Sequence, residues 1–177
     1  MSDAGLLIRL SRDDDVATIA AIYGHHVLHG VASFEAVPPS VEEMARRRAE
    51  LVARGFPYVV AEHGGKVVGY CYSGPYRTRV GYRFTVEDSI YIAAGEVGRG
   101  IGRALLAHVI ERSAELGYRQ MIAVIGGSDT LPSIRLHAAL GFAHIGTFVG
   151  IGFKFGRWID SVYMQRPLGA GTQTLPG

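Results

Sequence analysis

Between Arg83 and Ile125 the chain reads as an extended run, a glycine-spaced loop, a helix and a second extended run, and this succession limits the possible folds more than any other stretch. From Arg83 to Ala93 the residues alternate, placing Val86, Ile90 and Ile92 on one face and Thr85, Glu87, Ser89 and Tyr91 on the other. Glu87 therefore keeps polar and aromatic company, as a side chain lining a cleft would. Residues 94–99 form a loop. Beyond Gly100 the residues Ile101, Leu105 and Val109 recur at helical spacing, with Leu106 and Ile110 widening the stripe and Gly117 placed to end the helix. Arg119 to Ile125 is extended again. Two strands joined through a helix lie parallel in one sheet, which points to an α/β fold.

The loop of that unit carries chemistry. A strand that hands a run of free backbone N–H groups to a helix N-terminus forms a seat for a phosphate-bearing ligand. Gly98, Gly100 and Gly102 alternate, without the Gly-Lys-Ser/Thr ending of a nucleoside triphosphatase or the spacing of a dinucleotide fingerprint. Taken alone, these glycines also fit a plainer purpose, letting a helix begin close to a sheet.

The remaining elements follow from periodicity. Leu6–Leu10 is a short strand. Val16, Ile19, Ala20, Ile22 and Tyr23 mark a helix after the cap-type residues Ser11 to Asp14, and His25, His26 and His29 fall at or just past its end. Two histidines four apart suit a metal, but no third ligand follows at motif spacing, and imidazoles at a helix C-terminus also suit its dipole. We expect no metal. A second helix runs from Val41 to about Ala53; Arg46, Arg47, Arg48 and Arg54 form its basic side, read as a solvated face balanced by Glu42, Glu43 and Glu50. Pro57–His63 and Lys66–Ser73 pair through Gly64-Gly65 as a hairpin, with Cys71 packed inside it. The loop after it carries Arg77, Arg79 and Arg83 with Tyr76 and Tyr82, either a seat for a small anionic substrate or a surface loop with incidental arginines. A helix from Pro132 to Leu140 precedes two last strands, 142–150 and 153–164, which Gly150-Ile151-Gly152 should separate.

With 177 residues, 48% of them hydrophobic, the chain holds one domain with a substantial core. We place it at residues 1–168 and expect the tail 169–177, with nothing to bury, to be disordered. A formal charge of +2 argues against a nucleic-acid partner. One cysteine excludes an intrachain disulfide. Neither a leader-like N-terminus nor an apolar run of about 18 residues is apparent, so we expect a cytoplasmic protein away from membranes.

The order of strands, early helices, hairpin, long strand, glycine loop and helix, then strand–helix–strand–strand, resembles the GNAT acetyltransferase superfamily. Val97-Gly98-Arg99-Gly100-Ile101-Gly102 resembles its Gln/Arg-x-x-Gly-x-Gly/Ala motif, with Val97 where Gln or Arg is usual. From about Tyr70 to Tyr163 the chain more closely resembles the phosphinothricin acetyltransferase group, which includes enzymes acting on methionine sulfoximine and sulfone. The segments that carry this are Tyr82 to Glu87, Ala123 to Gly126, Ser133 to Phe142 and Gly152 to Trp158.

The resemblance implies a single GNAT domain, its mixed sheet of about seven strands flanked by about four helices and splayed for acetyl-CoA. It implies acetyl transfer to the amino group of a small amino-acid-like acceptor by direct attack in a ternary complex; a protein N-terminus as acceptor and a silent acyl-CoA-binding module are the alternatives. Ile90, Tyr91 and Ile92 would meet the pantetheine arm, and Gly98, Arg99, Gly100, Ile101, Gly102 and Arg103 the pyrophosphate. Thr130, where the family usually has Asn, and Ser133 would also touch the cofactor. Glu87 matches the family's glutamate and would be the base, unless it is an ordinary carboxylate paired with Arg83 or Arg79. His137 stands where many relatives place an acid, or makes a structural hydrogen bond. Arg77 and Arg79 would hold the acceptor's anionic end, with Phe34, Glu35 and Tyr82 completing the pocket. Relatives are commonly homodimers.

Overall fold

A computed structural model describes residues 5–176. Seven strands form one sheet: β1 (Leu6–Leu10), β2 (Tyr58–His63), β3 (Lys66–Pro75), β4 (Thr85–Ile92), β5 (Gln120–Gly126), β6 (Ala143–Lys154) and β7 (Arg157–Pro167), in the order β1-β2-β3-β4-β5-β7-β6. Every pairing is antiparallel except β4 with β5. Four α-helices cover it: α1 (Val16–His29), α2 (Val41–Ala53), α3 (Ile101–Glu115) and α4 (Leu131–Ala139). The α/β class, the mixed seven-stranded sheet and the four helices agree with the expectation.

Alternation along the strands divides the core in two. Val59, Cys71, Val86, Met121 and Met164 pack under the stripe of α3 formed by Ile101, Leu105, Leu106 and Val109. Tyr58, Val60, Tyr70 and Tyr91 face the other way, against Ile19, Tyr23 and Val27 of α1 and Met44 of α2. Cys71 is completely buried, and burial pushes its thiol well above the ordinary range, as for a packed small residue.

The sheet is continuous except between β4 and β5. Their pairing stops after Glu87 and Ile122, although β4 goes on to Ile92 and β5 to Gly126. β3 stays bonded to β4 as far as Ile92, and β7 to β5 along its whole length. The two halves of the sheet therefore splay apart beyond Glu87, leaving a backbone edge on each side of a wedge.

Two local expectations need correction. The glycines at 150–152 do not end a strand; β6 runs through them with a shift of register between Phe148 and Gly152, where the Gly150 N–H donates to Asp160 at 2.9 Å. The chain turns instead at Phe155 and Gly156, both at positive φ (52° and 71°). Arg48 does not belong to a solvated face: it is 7% exposed and donates to the Ser11 side chain and carbonyl and to Asp13 at 2.6–2.7 Å, tying α2 to the turn before α1. Arg46 and Arg47 do pair with Glu43, as an amphipathic surface would. The tail also makes contacts: Gly171 is buried, and the Arg119 guanidinium donates to the carbonyls of Gly171 and Leu175 and to the Thr174 hydroxyl.

Candidate active site

The wedge opens into two connected spaces. A chamber of about 260 Å³ lies at its apex, between the β4 residues from Glu87 to Tyr91, the β5 residues from Ala123 to Gly126 and the irregular segment from Val31 to Phe34. A groove of about 570 Å³ runs from it past Ile90 and Ile92 to the loop before α3. Val31, Ala32, Ile90, Thr130 and Ser133 line both, so the two are continuous.

The groove ends on the glycine loop. Gly98 and Gly100 have φ of 85° and 80°, a left-handed conformation that any side chain would strain, and Gly100 caps α3. The first bond back into the helix runs from the Ala104 N–H to the Gly100 carbonyl. The N–H groups of Ile101, Gly102 and Arg103 thus have no partner within the helix and face the positive end of its dipole. At this end the groove is lined by Glu96, Gly98, Gly100, Ile101, Gly102 and Arg103; Arg99 is not part of the lining and pairs with Glu96. Val97 is exposed and also borders the groove.

The edge of β4 supplies the other polar surface. The Ala93 N–H donates to Val68 on β3, so by alternation the backbone groups of Ile90 and Ile92 face the open side. One of them is already engaged, because His26 Nε2 donates to the Ile92 carbonyl at 2.8 Å. Burial lowers the His26 pKa, in keeping with a neutral donor, and the histidine expected to sit as a polar residue at the end of α1 turns inward instead. Tyr91 points to the opposite face, where it lines the chamber and meets the Tyr23 ring edge-on.

Glu87 is at the apex, where pairing ends. It makes no hydrogen bond or ion pair among the described residues; Arg83 lies over the Phe84 ring and donates to the Val80 carbonyl, and Arg79 is exposed. Burial pushes the Glu87 pKa from 4.5 up to about 7, the neighbouring Asp88 adds to the rise and Arg77 opposes it. A carboxyl with that value exchanges protons near neutrality.

On the other face of β4, Asp88 meets His137 of α4, with His137 Nε2 3.1 Å from Asp88 Oδ2 and both side chains 2% exposed. His137 Nδ1 donates to the Ser133 carbonyl at 2.8 Å. Burial would lower the His137 pKa, but the Asp88 carboxylate and the Ser133 carbonyl together more than reverse this and the net shift is upward. Both ring nitrogens are committed within the protein, although the residue also lines the chamber. Asp88 was missed as a site residue. A signal was available, since alternation puts a carboxylate on the same face as Val86 and Ile90.

The acceptor-side candidates divide. Phe34 lines the chamber. Glu35 lies behind it, accepting from the Tyr23 hydroxyl at 3.0 Å and from Arg47 at 2.6 Å. Arg77 stacks on Tyr76 and its charge is felt at Glu87. Arg77, Arg79 and Tyr82 are all exposed in the same loop, and none of them lines the chamber wall. Thr130 donates to the Gly126 carbonyl at 2.7 Å, so its hydroxyl braces the β5–α4 turn.

Comparison with known proteins agrees with this geometry. The family model described as an acetyltransferase (GNAT) domain matches residues 8–163. Phosphinothricin N-acetyltransferase of Alcaligenes faecalis is 53% identical over 169 residues, covering 96% of this chain and 86% of that protein. The L-methionine sulfoximine/L-methionine sulfone acetyltransferase of Salmonella typhimurium is 38% identical over 166 residues, with coverage of 92% and 95%. Among solved structures, a GNAT superfamily phosphinothricin acetyltransferase from Sinorhizobium meliloti, in complex with AcCoA, superposes with a TM-score of 0.95 at 48% identity, covering 98% of this chain and 94% of that one.

Proposed function

The chain belongs to the GNAT acetyltransferase family, and from that premise we propose that it N-acetylates a small amino-acid-like acceptor of the phosphinothricin, methionine sulfoximine or methionine sulfone type. It is an acyltransferase with acetyl-CoA as co-substrate. The observation that carries the proposed acceptor class is the chamber, about 260 Å³ in volume, with an unpaired and half-buried carboxyl, Glu87, at its apex. A space of that size suits a single amino-acid analogue better than a peptide.

Acetyl-CoA supplies the thioester whose carbonyl carbon the neutral amine attacks, and cleavage of the C–S bond releases the thiol. The chain's part begins with the groove. The open β4 edge at Ile90 and Ile92 fits an amide-bearing arm, and the N–H groups of Gly98 to Arg103 fit a pyrophosphate. Since His26 occupies the Ile92 carbonyl, that residue's N–H is the group left for the arm. Glu87 takes the proton from the acceptor's α-ammonium, directly or through one water, leaving the nucleophilic amine. N–H groups on the free β4 edge stabilise the oxyanion that develops as the nitrogen bonds to carbon. Arg77, whose charge already reaches Glu87, holds the acceptor's anionic end. His137 braces α4 against β4 through Asp88, because the protons on both its nitrogens are in use; as the C–S bond breaks, the nitrogen loses its second proton to solvent and the departing thiolate takes one from solvent.

We further assign the protein to the cytoplasm, where acetyl-CoA is available to it, and to a homodimer. What supports the dimer is the β6–β7 hairpin, where β6 is an edge strand and Phe148, Phe153, Phe155 and Trp158 are 54–69% exposed. Sedimentation at micromolar concentration tests it, and a monomer there would refute it.

The deciding experiment measures acetyl-CoA consumption with phosphinothricin, methionine sulfoximine, methionine sulfone, the common amino acids and a panel of short peptides. Turnover of the first three above the rest is expected. Preference for the peptides would move the acceptor class to protein N-termini.

A further inference from the structure

We propose that Lys154 is a positioning residue for the acceptor, an internal tether that fixes the chamber wall from the far edge of the sheet. The wall runs from Val31 to Phe34, and it is irregular. Among the described residues no backbone–backbone hydrogen bond holds positions 31–37 to a strand or helix, and the last such bond before them is the Gly30 N–H to the His26 carbonyl at 3.0 Å. An unpaired segment of this kind needs side chains to hold it.

Lys154 supplies the main-chain attachment. It is the last residue of β6, 7% exposed although Phe153 and Phe155 beside it are open to solvent. Its ammonium donates to the Gly30 carbonyl at 2.9 Å and to the Ser33 carbonyl at 2.6 Å, so one cation gathers both ends of the turn 30–33. Burial lowers the Lys154 pKa and the charge of Glu35 partly restores it, consistent with an ammonium whose solvation has been replaced by carbonyl oxygens.

Close packing makes the position of that turn matter. A Cβ at Gly126 would collide with the Val31 carbonyl, and one at Gly152 would lie 2.6 Å from the Phe34 ring. The wall is thus seated against β5 on one side and β6 on the other, with no slack. Ser33 completes the attachment from the opposite direction, bonding the Tyr23 hydroxyl at 2.8 Å and accepting from the Glu35 N–H at 3.1 Å. Removal of the ammonium leaves two carbonyls without their donor and lets the wall move away from β4. The glycine loop at the end of the groove lies on a different element and keeps its geometry, although Gly30, Val31 and Ala32 also border the groove.

The role in acceptor binding rests on the acetyl-transfer reading above, while the tether itself is measurable without any acceptor. Lys154→Met is compared with wild type by amide hydrogen exchange and by steady-state kinetics. Exchange over residues 30–36 is expected to accelerate at least tenfold, with α3 and β4 unchanged. The acceptor KM should rise about tenfold or more, and the acetyl-CoA KM by a clearly smaller factor, because only Gly30, Val31 and Ala32 of the moved segment border the groove. If the methionine variant does not accumulate, Lys154→Arg carries the same test, because a longer head displaces the turn and again raises the acceptor KM by the larger factor. Unchanged exchange at 30–36 overturns the tether, and parallel rises in both KM values overturn the positioning role. A wild-type protein that acetylates none of the amines offered refutes the acetyl-transfer reading instead, and exchange still decides the tether.

Discussion

Replacing Glu87 with glutamine should make this protein more stable while disabling it. Folding moves the carboxyl from water into the apex of the wedge, beside Asp88, and raises its pKa from 4.5 to about 7. Since the raised value belongs to the folded state, that state binds more protons than the unfolded one between those limits, and stability falls as pH rises. No penalty exists below pH 4.5; it grows through the interval and is complete above about 7. At about 1.36 kcal/mol per pKa unit the rise from 4.5 to about 7 corresponds to an upper limit of about 3.4 kcal/mol. Water reaching a half-buried side chain, and the polar cost of burying an amide, reduce the expected gain to about 1.5–2 kcal/mol. In a domain of this size that raises Tm by about 3–8 °C. Urea unfolding of both proteins at several pH values between about 4.5 and 8 measures the gap, which should open with rising pH and close at the acidic end. A gap that stays constant across the interval would refute the claim that folding raises the Glu87 pKa, and with it the account of how the base is tuned.

Other perturbations separate the parts of the site. Glu87→Gln should lower turnover by about 10²- to 10⁴-fold with little change in acetyl-CoA affinity, and wild-type kcat should rise with pH and level off above about 7; a flat kcat profile through that range counts against Glu87 as the base. Asp88→Asn removes the group that raises the His137 pKa. Because a raised histidine pKa stabilises fully below 6.5 and the effect is lost as pH passes the folded value, denaturant titrations should show a cost of about 1–3 kcal/mol below pH 6.5 that shrinks as the pH is raised past the folded value. Gly98→Val forces a β-branched residue to a φ of 85°. Kinetics should then show an acetyl-CoA KM raised about tenfold, with the acceptor KM unaffected.

Local pattern was enough to read much of this molecule. Alternation assigned Glu87 and Tyr91 to one face of β4 and Ile90 to the other, and the stripe from Ile101 to Val109 located α3, because both signals depend only on neighbours along the chain. The glycines at 98 and 100 were legible for a similar reason, since their value lies in their own backbone angles. The dispersed segments resembling the phosphinothricin acetyltransferase group added the expected order and activity.

Long-range encounters were not legible. Asp88 and His137 are 49 residues apart, and Lys154 reaches back 124 residues to Gly30. Neither spacing carries any periodic signal. Arg48 looked like one more basic residue on a helix until the turn before α1 folded over it. The glycines at 150–152 suggested an interruption, but pairing with β7 absorbed them as an irregularity in a continuous strand. The composition of β4 does not reveal that it parts from β5 after Glu87, because strand separation depends on what each edge packs against. The sequence by itself thus determined most of the elements, their order and the glycine loop before α3. Tertiary structure decided where the sheet opens, and so which carboxyl lost its water and became fit to move a proton, because desolvation depends on the whole surrounding fold.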